Sequence, residues 1–452
     1  MRRFVFAFAI FLFYSWLSGE VRKETALTVY NRDLGVVNQK LGLKIPAGKS
    51  EIRVVDVASL IDPTSVHFRS IKEPESLSIL EQNYRFDLVS TYQLLWRYTD
   101  QEIRILTTSG KAYQGKLLSY DGSTLLIDSG TTIQAIRLTE AIQNIEFPSL
   151  PEGLITRPTL VWLLENRGGE NRECELSYMT SGIKWHAEYV ALIDESEKKL
   201  DLGAWVSIDN RSGATYENAT LKLIAGDVNI IPTGQQPESL SIRGDMEKIK
   251  AEEQFQEKEF FEYHMYTLQR KATIRNNEIK QLSLFPNTEC SIKKIYVYNG
   301  ARYGDKIRVN VEFKNEKENG LGIPLPAGKV RVYKRDNDGS KEFIGEDWVD
   351  HTPKDEKVRL FLGNAFDIVG ERVQKNYKKI SNRKIEYTFE IKIRNHKKEN
   401  IEVTVVENLY GDWTITEKTH EYTKINARTV EFVVPVAKYE ESVLNYTYNY
   451  KW

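Results

Sequence analysis

Leu200-Asp-Leu-Gly-Ala-Trp-Val-Ser-Ile208 decides the fold class: Leu200, Leu202, Ala204, Val206 and Ile208 share one face, and Asp201, Gly203, Trp205 and Ser207 the other. A strand turns successive side chains to opposite faces, whereas a helix would scatter this set around its circumference. Period two with one dry face and one wet face therefore reads as a half-buried antiparallel sheet. The pattern returns downstream. Ile307, Val309, Val311 and Phe313 alternate with Arg308, Asn310 and Glu312, and Tyr387, Phe389, Ile391 and Ile393 with Thr388, Glu390, Lys392 and Arg394. No comparable run of helical period occurs in this half. The expected fold is all-β, with antiparallel β-sandwich domains over 149–452 and a polar insertion at 235–257 that reads as a surface excursion.

Toward the N-terminus, Leu150-Pro151-Glu-Gly and Pro158 mark a joint. Before it, 101–148 carry five compact strand signals: Ile103 with Ile105, Tyr113–Tyr120, Leu125–Ile127, Ile133–Ile136 and Ile142–Phe147, with Asp121-Gly122 as a hairpin turn. This order suits a small inserted barrel of SH3-like or Sm-like type. Sm-like barrels often bind RNA, but no basic loop pair or stacking aromatics support that here, so a structural insert is expected. Residues 73–100 read as a linker with a short helix capped by Ser90 and carrying Leu94, Leu95 and Tyr98. Residues 20–72 read as an N-terminal β unit, with strands at Ala26–Tyr30 and Ile52–Val57 around the turn Pro46-Ala-Gly-Lys.

At the start, Arg2 and Arg3 precede the apolar run Phe4–Leu17. As a helix its 14 residues reach about 21 Å, short of the roughly 30 Å hydrocarbon core of a bilayer. Residues 1–19 therefore read as a secretory signal peptide, with Glu20 beginning the mature chain. The expected location is outside the cytoplasm: periplasmic, cell-surface or secreted. No later apolar stretch is long enough to span as a helix, so no transmembrane segment is expected in the mature chain.

Loss of Arg2 and Arg3 changes 63 basic against 64 acidic residues to 61 against 64, a net charge of −3. That balance argues against a dedicated nucleic-acid binder, which needs a basic surface for phosphates. Cys174 and Cys290 are too few for a disulfide framework and are either one long bridge or two buried thiols.

The six histidines stand singly, without metalloprotease or zinc-ligand spacing, and neither a phosphate loop nor a nucleophile elbow is present. No cofactor and no catalytic residue is assigned. One stretch gathers chemistry: Gly345-Glu-Asp-Trp-Val-Asp-His-Thr-Pro-Lys-Asp-Glu356 offers Asp347, Asp350, His351 and Asp355 as metal candidates, since clustered oxygens suit hard cations. The plain alternative is a turn decorated with solvated charge. Asp336-Asn-Asp-Gly339 lacks the later ligands of a calcium loop and reads as a hairpin turn. Tyr296, Tyr298, Tyr303, Trp185 and Trp205 could line a sugar-stacking face, but such residues are more often cross-strand pairs filling a sheet surface. The C-terminal alternation Leu444, Tyr446, Tyr448, Tyr450, Trp452 resembles an outer-membrane barrel strand, but charged alternation elsewhere favours a last sandwich strand.

A series of blocks resembles a known family. Thr180-Ser-Gly-Ile-Lys-Trp-His-Ala-Glu-Tyr189, Ala204-Trp-Val-Ser-Ile-Asp-Asn-Arg-Ser-Gly-Ala214 and Leu221-Lys-Leu-Ile-Ala-Gly-Asp-Val-Asn229 resemble the opening of domain of unknown function 4139. Phe261-Glu-Tyr-His-Met-Tyr-Thr-Leu268 and Gly320-Leu-Gly-Ile-Pro-Leu-Pro-Ala-Gly-Lys-Val-Arg-Val-Tyr333 are similar to its middle, and Glu407-Asn-Leu-Tyr-Gly-Asp-Trp413 to a late strand. The resemblance covers about residues 155–452. It implies an exported bacterial protein of the cell envelope, akin to members called mucoidy-inhibitor-like, and transfers no activity. Many relatives carry a coiled coil before this domain, where this chain has the small barrel.

The expected function is non-catalytic: binding or scaffolding of an envelope protein or polysaccharide. The alternative is a hydrolase of an envelope polymer that draws its acids from loops such as Asp347–Glu356.

Overall fold

The computed structural model describes residues 21–138, 142–151, 153–226, 228, 229 and 255–451. The expected signal peptide at 1–19 and most of the expected insertion at 235–257 thus lie outside the described residues. Where description resumes, Phe255–Phe260 is already a strand. Nearly every element is a strand, and among the described residues the α-helices are Thr91–Arg97 and Gly300–Tyr303. No described helix is long and apolar enough to cross a membrane. Contacts gather the chain into two compact units. The first comprises Met1–Lys184, Asp209–Lys222 and Lys271–Glu278, and the second Trp185–Ile208, Leu223–Arg270 and Ile279–Trp452.

In the first unit, Gly35–Lys44 pairs antiparallel with Val21–Tyr30 on one side and Asn171–Thr180 on the other. A second sheet places Thr159–Asn166 between Gly48–Val55 and Leu77–Arg85. The Pro-marked joint near residue 150 therefore does not part an N-terminal unit from the rest of the chain, because 159–180 supply strands to the N-terminal sheets. Alternation identifies a strand but is silent about its neighbour.

The five-strand region has the order Ile142–Glu146, Glu102–Thr107, Ala112–Tyr120, Thr124–Asp128, Ile133–Arg137, antiparallel throughout. Among the described residues no ladder joins the first and last of these, so the sheet stays open where a barrel was expected. Leu95 of the short helix and Tyr98 at its C-cap complete the core beside Ile103, Ile105, Leu117, Leu125 and Ile127. The local chemistry follows the sequence. Ser90 caps the helix by accepting from the Gln93 N–H at 3.1 Å. Asp121 accepts from the N–H groups of Ser123 and Thr124 at 2.9 and 2.7 Å, while Gly122 takes a φ of 95° that side chains resist.

The second unit holds two sheets. One runs Glu278–Ser291, Lys199–Asn210, Ile183–Ile193, Gly328–Arg335, Lys341–Val349. Its pair Ile183–Ile193 with Gly328–Arg335 is parallel. Asp336-Asn-Asp-Gly339 forms the hairpin turn, with the Gly339 N–H donating to the Asp336 carbonyl at 2.9 Å. The other sheet has nine strands, from Asp412–Lys418 through Glu441–Lys451, Lys384–Asn395, Lys357–Ser381, Lys306–Lys314, Lys293–Tyr298, Ile401–Asn408 and Thr429–Val436 to Tyr422–Lys424. It folds back on itself into a sandwich. Phe389, Ile391, Tyr446 and Tyr448 from one end share a core with Val403, Val405, Phe432 and Val434 from the other, and the Phe432 and Tyr446 rings lie 5.4 Å apart.

A charge sits inside that core. Glu407 is 1% exposed and accepts from Arg372 Nε at 3.0 Å, Arg372 Nη2 at 2.8 Å and the Tyr446 hydroxyl at 2.5 Å. The Arg372 guanidinium in turn lies 3.8 Å from the centre of the Phe389 ring. A buried carboxylate is tolerated only when its lone pairs are engaged, and these donors come from two strands of the opposite half of the sandwich. Replacing Arg372 by Met is expected to destabilise the protein by about 3–5 kcal/mol, since Glu407 loses its guanidinium partner inside the core. Replacing both Arg372 and Glu407 by apolar residues recovers most of that loss, measured by denaturant unfolding.

Both cysteines are free and buried, and burial pushes Cys174 up to about 11 and Cys290 up to about 12. Two unreactive thiols are therefore expected: equal intact mass with and without reductant, and labelling by a thiol reagent at neutral pH only after unfolding.

Candidate functional site

The structure does not gather the proposed metal ligands. Asp347, on Lys341–Val349, accepts from the Phe361 N–H at 2.6 Å and from the N–H of Trp348 at 2.9 Å. His351 Nδ1 accepts from the Ala327 N–H at 3.1 Å. The Asp350 carbonyl accepts from Thr352 Oγ1, and Asp355 holds a turn at φ 67° with its own N–H donating to Asn315. These groups fasten a turn to its neighbours. Among the described residues no set of three His, Cys, Asp or Glu is arranged to hold a metal ion. The aromatic set does not form one face either: Trp185 and Tyr298 are fully buried, the Trp185 ring N–H donates to the Ile224 carbonyl, and Trp205 is half-exposed.

The second unit instead contains a cleft of about 370 Å³. Buried Ile193 and Val311, with Ile292 and Leu362, give it an apolar lining. Three lysines enter it from separate segments: Lys294 on Lys293–Tyr298, Lys334 on Gly328–Arg335, and Lys397 just past Lys384–Asn395. Glu197 lies in the turn between Ile183–Ile193 and Lys199–Asn210, where φ is 58°. Its carboxylate accepts from both Lys294 and Lys334, the latter at 2.6 Å. The Lys294 and Lys397 ammoniums stand 5.7 and 5.5 Å from the centre of the Tyr296 ring, within cation–π reach.

One wall of the cleft is a distortion of the long strand Lys357–Ser381. Arg308 pairs with Asn364 but Lys306 with Val369, so the long strand takes five steps where its neighbour takes two. The surplus loops out beside the cleft and leaves Phe366 96% exposed. Such bulges re-aim side chains at the cost of ladder hydrogen bonds.

Electrostatics set what the cleft can do. Burial would raise the Glu197 pKa, but the hydrogen bonds from Lys294 and Lys334 outweigh it and hold the carboxyl below the ordinary glutamate range. Burial would lower that of Lys294, yet Glu197 and Tyr296 keep it above the usual lysine value. Lys397 is likewise raised, against burial, by Tyr296 and Glu399. Three lysines thus gather beside apolar surface, Lys294 and Lys334 on Glu197 and Lys397 on Glu399 at 3.3 Å, with Asp367 also in the lining. That combination suits an anionic ligand with an apolar face.

Sequence reading missed this cleft because its charged residues come from five distant segments. The one local signal was Lys293-Lys294, where a second cation stands at the head of an otherwise alternating strand.

Fold and cleft together define an all-β, sandwich-type protein with a cationic recess between strands. The chain belongs to the family described as domain of unknown function (DUF4139), which matches residues 174–452. No curated protein matches the chain.

Because the folded Glu197 pKa lies below the unfolded one, its stabilisation is present above about pH 4.3 and fades as pH falls below that value. Glu197→Gln is expected to cost about 1 kcal/mol at pH 7. The difference from the parent protein should shrink as pH is lowered below that value, in denaturant unfolding at matched pH.

Proposed function

We propose that this is an exported protein of the cell envelope or exterior that binds without catalysis, and that the cleft takes an acidic polysaccharide. A uronic acid ring pairs an apolar C–H face with a carboxylate, and the cleft pairs apolar lining with Lys294, Lys334 and Lys397. The observation that carries this reading is Glu197 clamped by two lysines. A glycoside hydrolase needs a carboxylic acid that still holds its proton near neutrality, and a carboxyl with a lowered pKa is the reverse of one. Export is supported by the charged and apolar pattern of residues 1–19 and by what the family resemblance implies.

Calorimetric titration with oligogalacturonides should give saturable binding, and neutral oligosaccharides of equal length none. Lys397→Ala, which removes one charge-assisted contact, should weaken binding by about tenfold. Silence toward every acidic oligosaccharide at millimolar concentration would sink the proposal. Release of new reducing ends would mark the protein as a hydrolase instead.

A further inference from the structure

A second surface lies away from the cleft, at the far end of the long hairpin made by Lys357–Ser381 and Lys384–Asn395. The neighbouring strand Lys306–Lys314 follows the long strand only to Val369. Beyond that point, among the described strands, the long strand pairs on one side alone, with Lys384–Asn395 from Ile368 to Ser381. Residues 373–383 are all exposed. Between Val373 and Ile385 the sequence holds Lys375, Lys378, Lys379, Arg383 and Lys384 and no acid, in a chain whose overall charge is −1. Lys375 pairs with Glu390 at 3.1 Å. Among the described residues no ion pair engages the other four, although Glu386 stands opposite Lys378 in register. Lys451 of the adjacent strand lies opposite Lys384 and adds a further cation.

The same tip carries exposed apolar groups. Tyr377 is 53% and Ile380 44% exposed. Tyr377 begins an aromatic series that runs back into the sandwich core, its ring 5.4 Å from Tyr387, which lies 5.7 Å from Tyr448 and 6.1 Å from Tyr450. Lysines on an unpaired strand edge have a bland purpose, which is to deter pairing with another chain. Lysine is the residue most used for that purpose, but an exposed tyrosine and isoleucine work against it. Cations of one sign around an amphipathic tyrosine on an exposed strand end match an anionic bilayer surface, where lysines meet headgroups and tyrosines settle at the interface.

We propose that the hairpin tip formed by Tyr377, Lys378, Lys379, Ile380, Arg383 and Lys384 docks the protein on an anionic lipid surface. A membrane is the occupant that an exposed end with cations of one sign, a tyrosine and an isoleucine complements. The lysine-lined cleft does not take part, so this docking stands or fails independently of polysaccharide binding.

The test is co-sedimentation of the protein with vesicles of phosphatidylcholine alone or mixed with phosphatidylglycerol. Binding is expected only to the phosphatidylglycerol vesicles and should weaken steeply as salt is raised. Each cation near such a surface contributes roughly fivefold in affinity. Combined Lys378→Gln, Lys379→Gln and Arg383→Gln should therefore lower partitioning on the order of a hundredfold. All three side chains are exposed, so the variant should keep the parent unfolding midpoint. Tyr377→Ser, which leaves the charge intact, should weaken partitioning severalfold. Equal binding to both vesicle types, unchanged binding by the triple variant, or retention on soluble polyglutamate with no vesicle binding would each overturn the proposal.

Discussion

Glu407 is the constraint around which the second unit is arranged. A carboxylate in a core of Phe, Ile, Val and Tyr costs far more than any single apolar contact returns, unless donors meet it on every side. Arg372 and Tyr446 meet it from the opposite half of the nine-strand sheet. Only one register of those strands brings all three groups together. A slip by one residue would turn the Arg372 side chain to the solvent face and leave the charge alone in the core. The apolar residues around the triad supply cohesion, whereas the triad dictates which strands face which. The same long strand that carries Arg372 also supplies the cleft wall at Phe366 and the basic tip at Lys378 and Lys379.

Much of the secondary structure was legible from period two. Leu200–Ile208, Ile307–Phe313 and Tyr387–Ile393 all lie in strands, and the turns at Asp121-Gly122 and Asp336–Gly339 form because Asp side chains and glycines satisfy local backbone geometry. The Ser90 cap was equally readable. Strand partnership was not. Nothing in Thr159–Asn166 announces that it pairs with the distant Gly48–Val55, nor does alternation separate the parallel pair at Ile183–Ile193 and Gly328–Arg335 from the antiparallel ones. The five-strand region was readable as five strands but not as an open sheet, because its completion by Leu95 and Tyr98 comes from outside it.

The candidate site was legible least of all. Density of charge drew attention to Asp347, Asp350, His351 and Asp355, yet carboxylates crowded in sequence are the ones best placed to satisfy nearby backbone N–H groups, as Asp347 does. Chemistry that awaits a ligand arises where distant segments converge, and Lys294, Lys334, Lys397 and Glu197 share no window of sequence. Glu407 shows the same gap from another direction. It stood in a block that resembles the family, and its role as a buried anion became visible only through its partners in space.

The compact units are discontinuous in sequence, and this bears on how the chain could have been inherited. The family segment opens at Cys174, inside the strand Asn171–Thr180, whose ladder partner Gly35–Lys44 lies outside the segment. A gene fusion that carried the family segment alone would leave that ladder unmade, so it would have to bring or replace an N-terminal strand able to complete it.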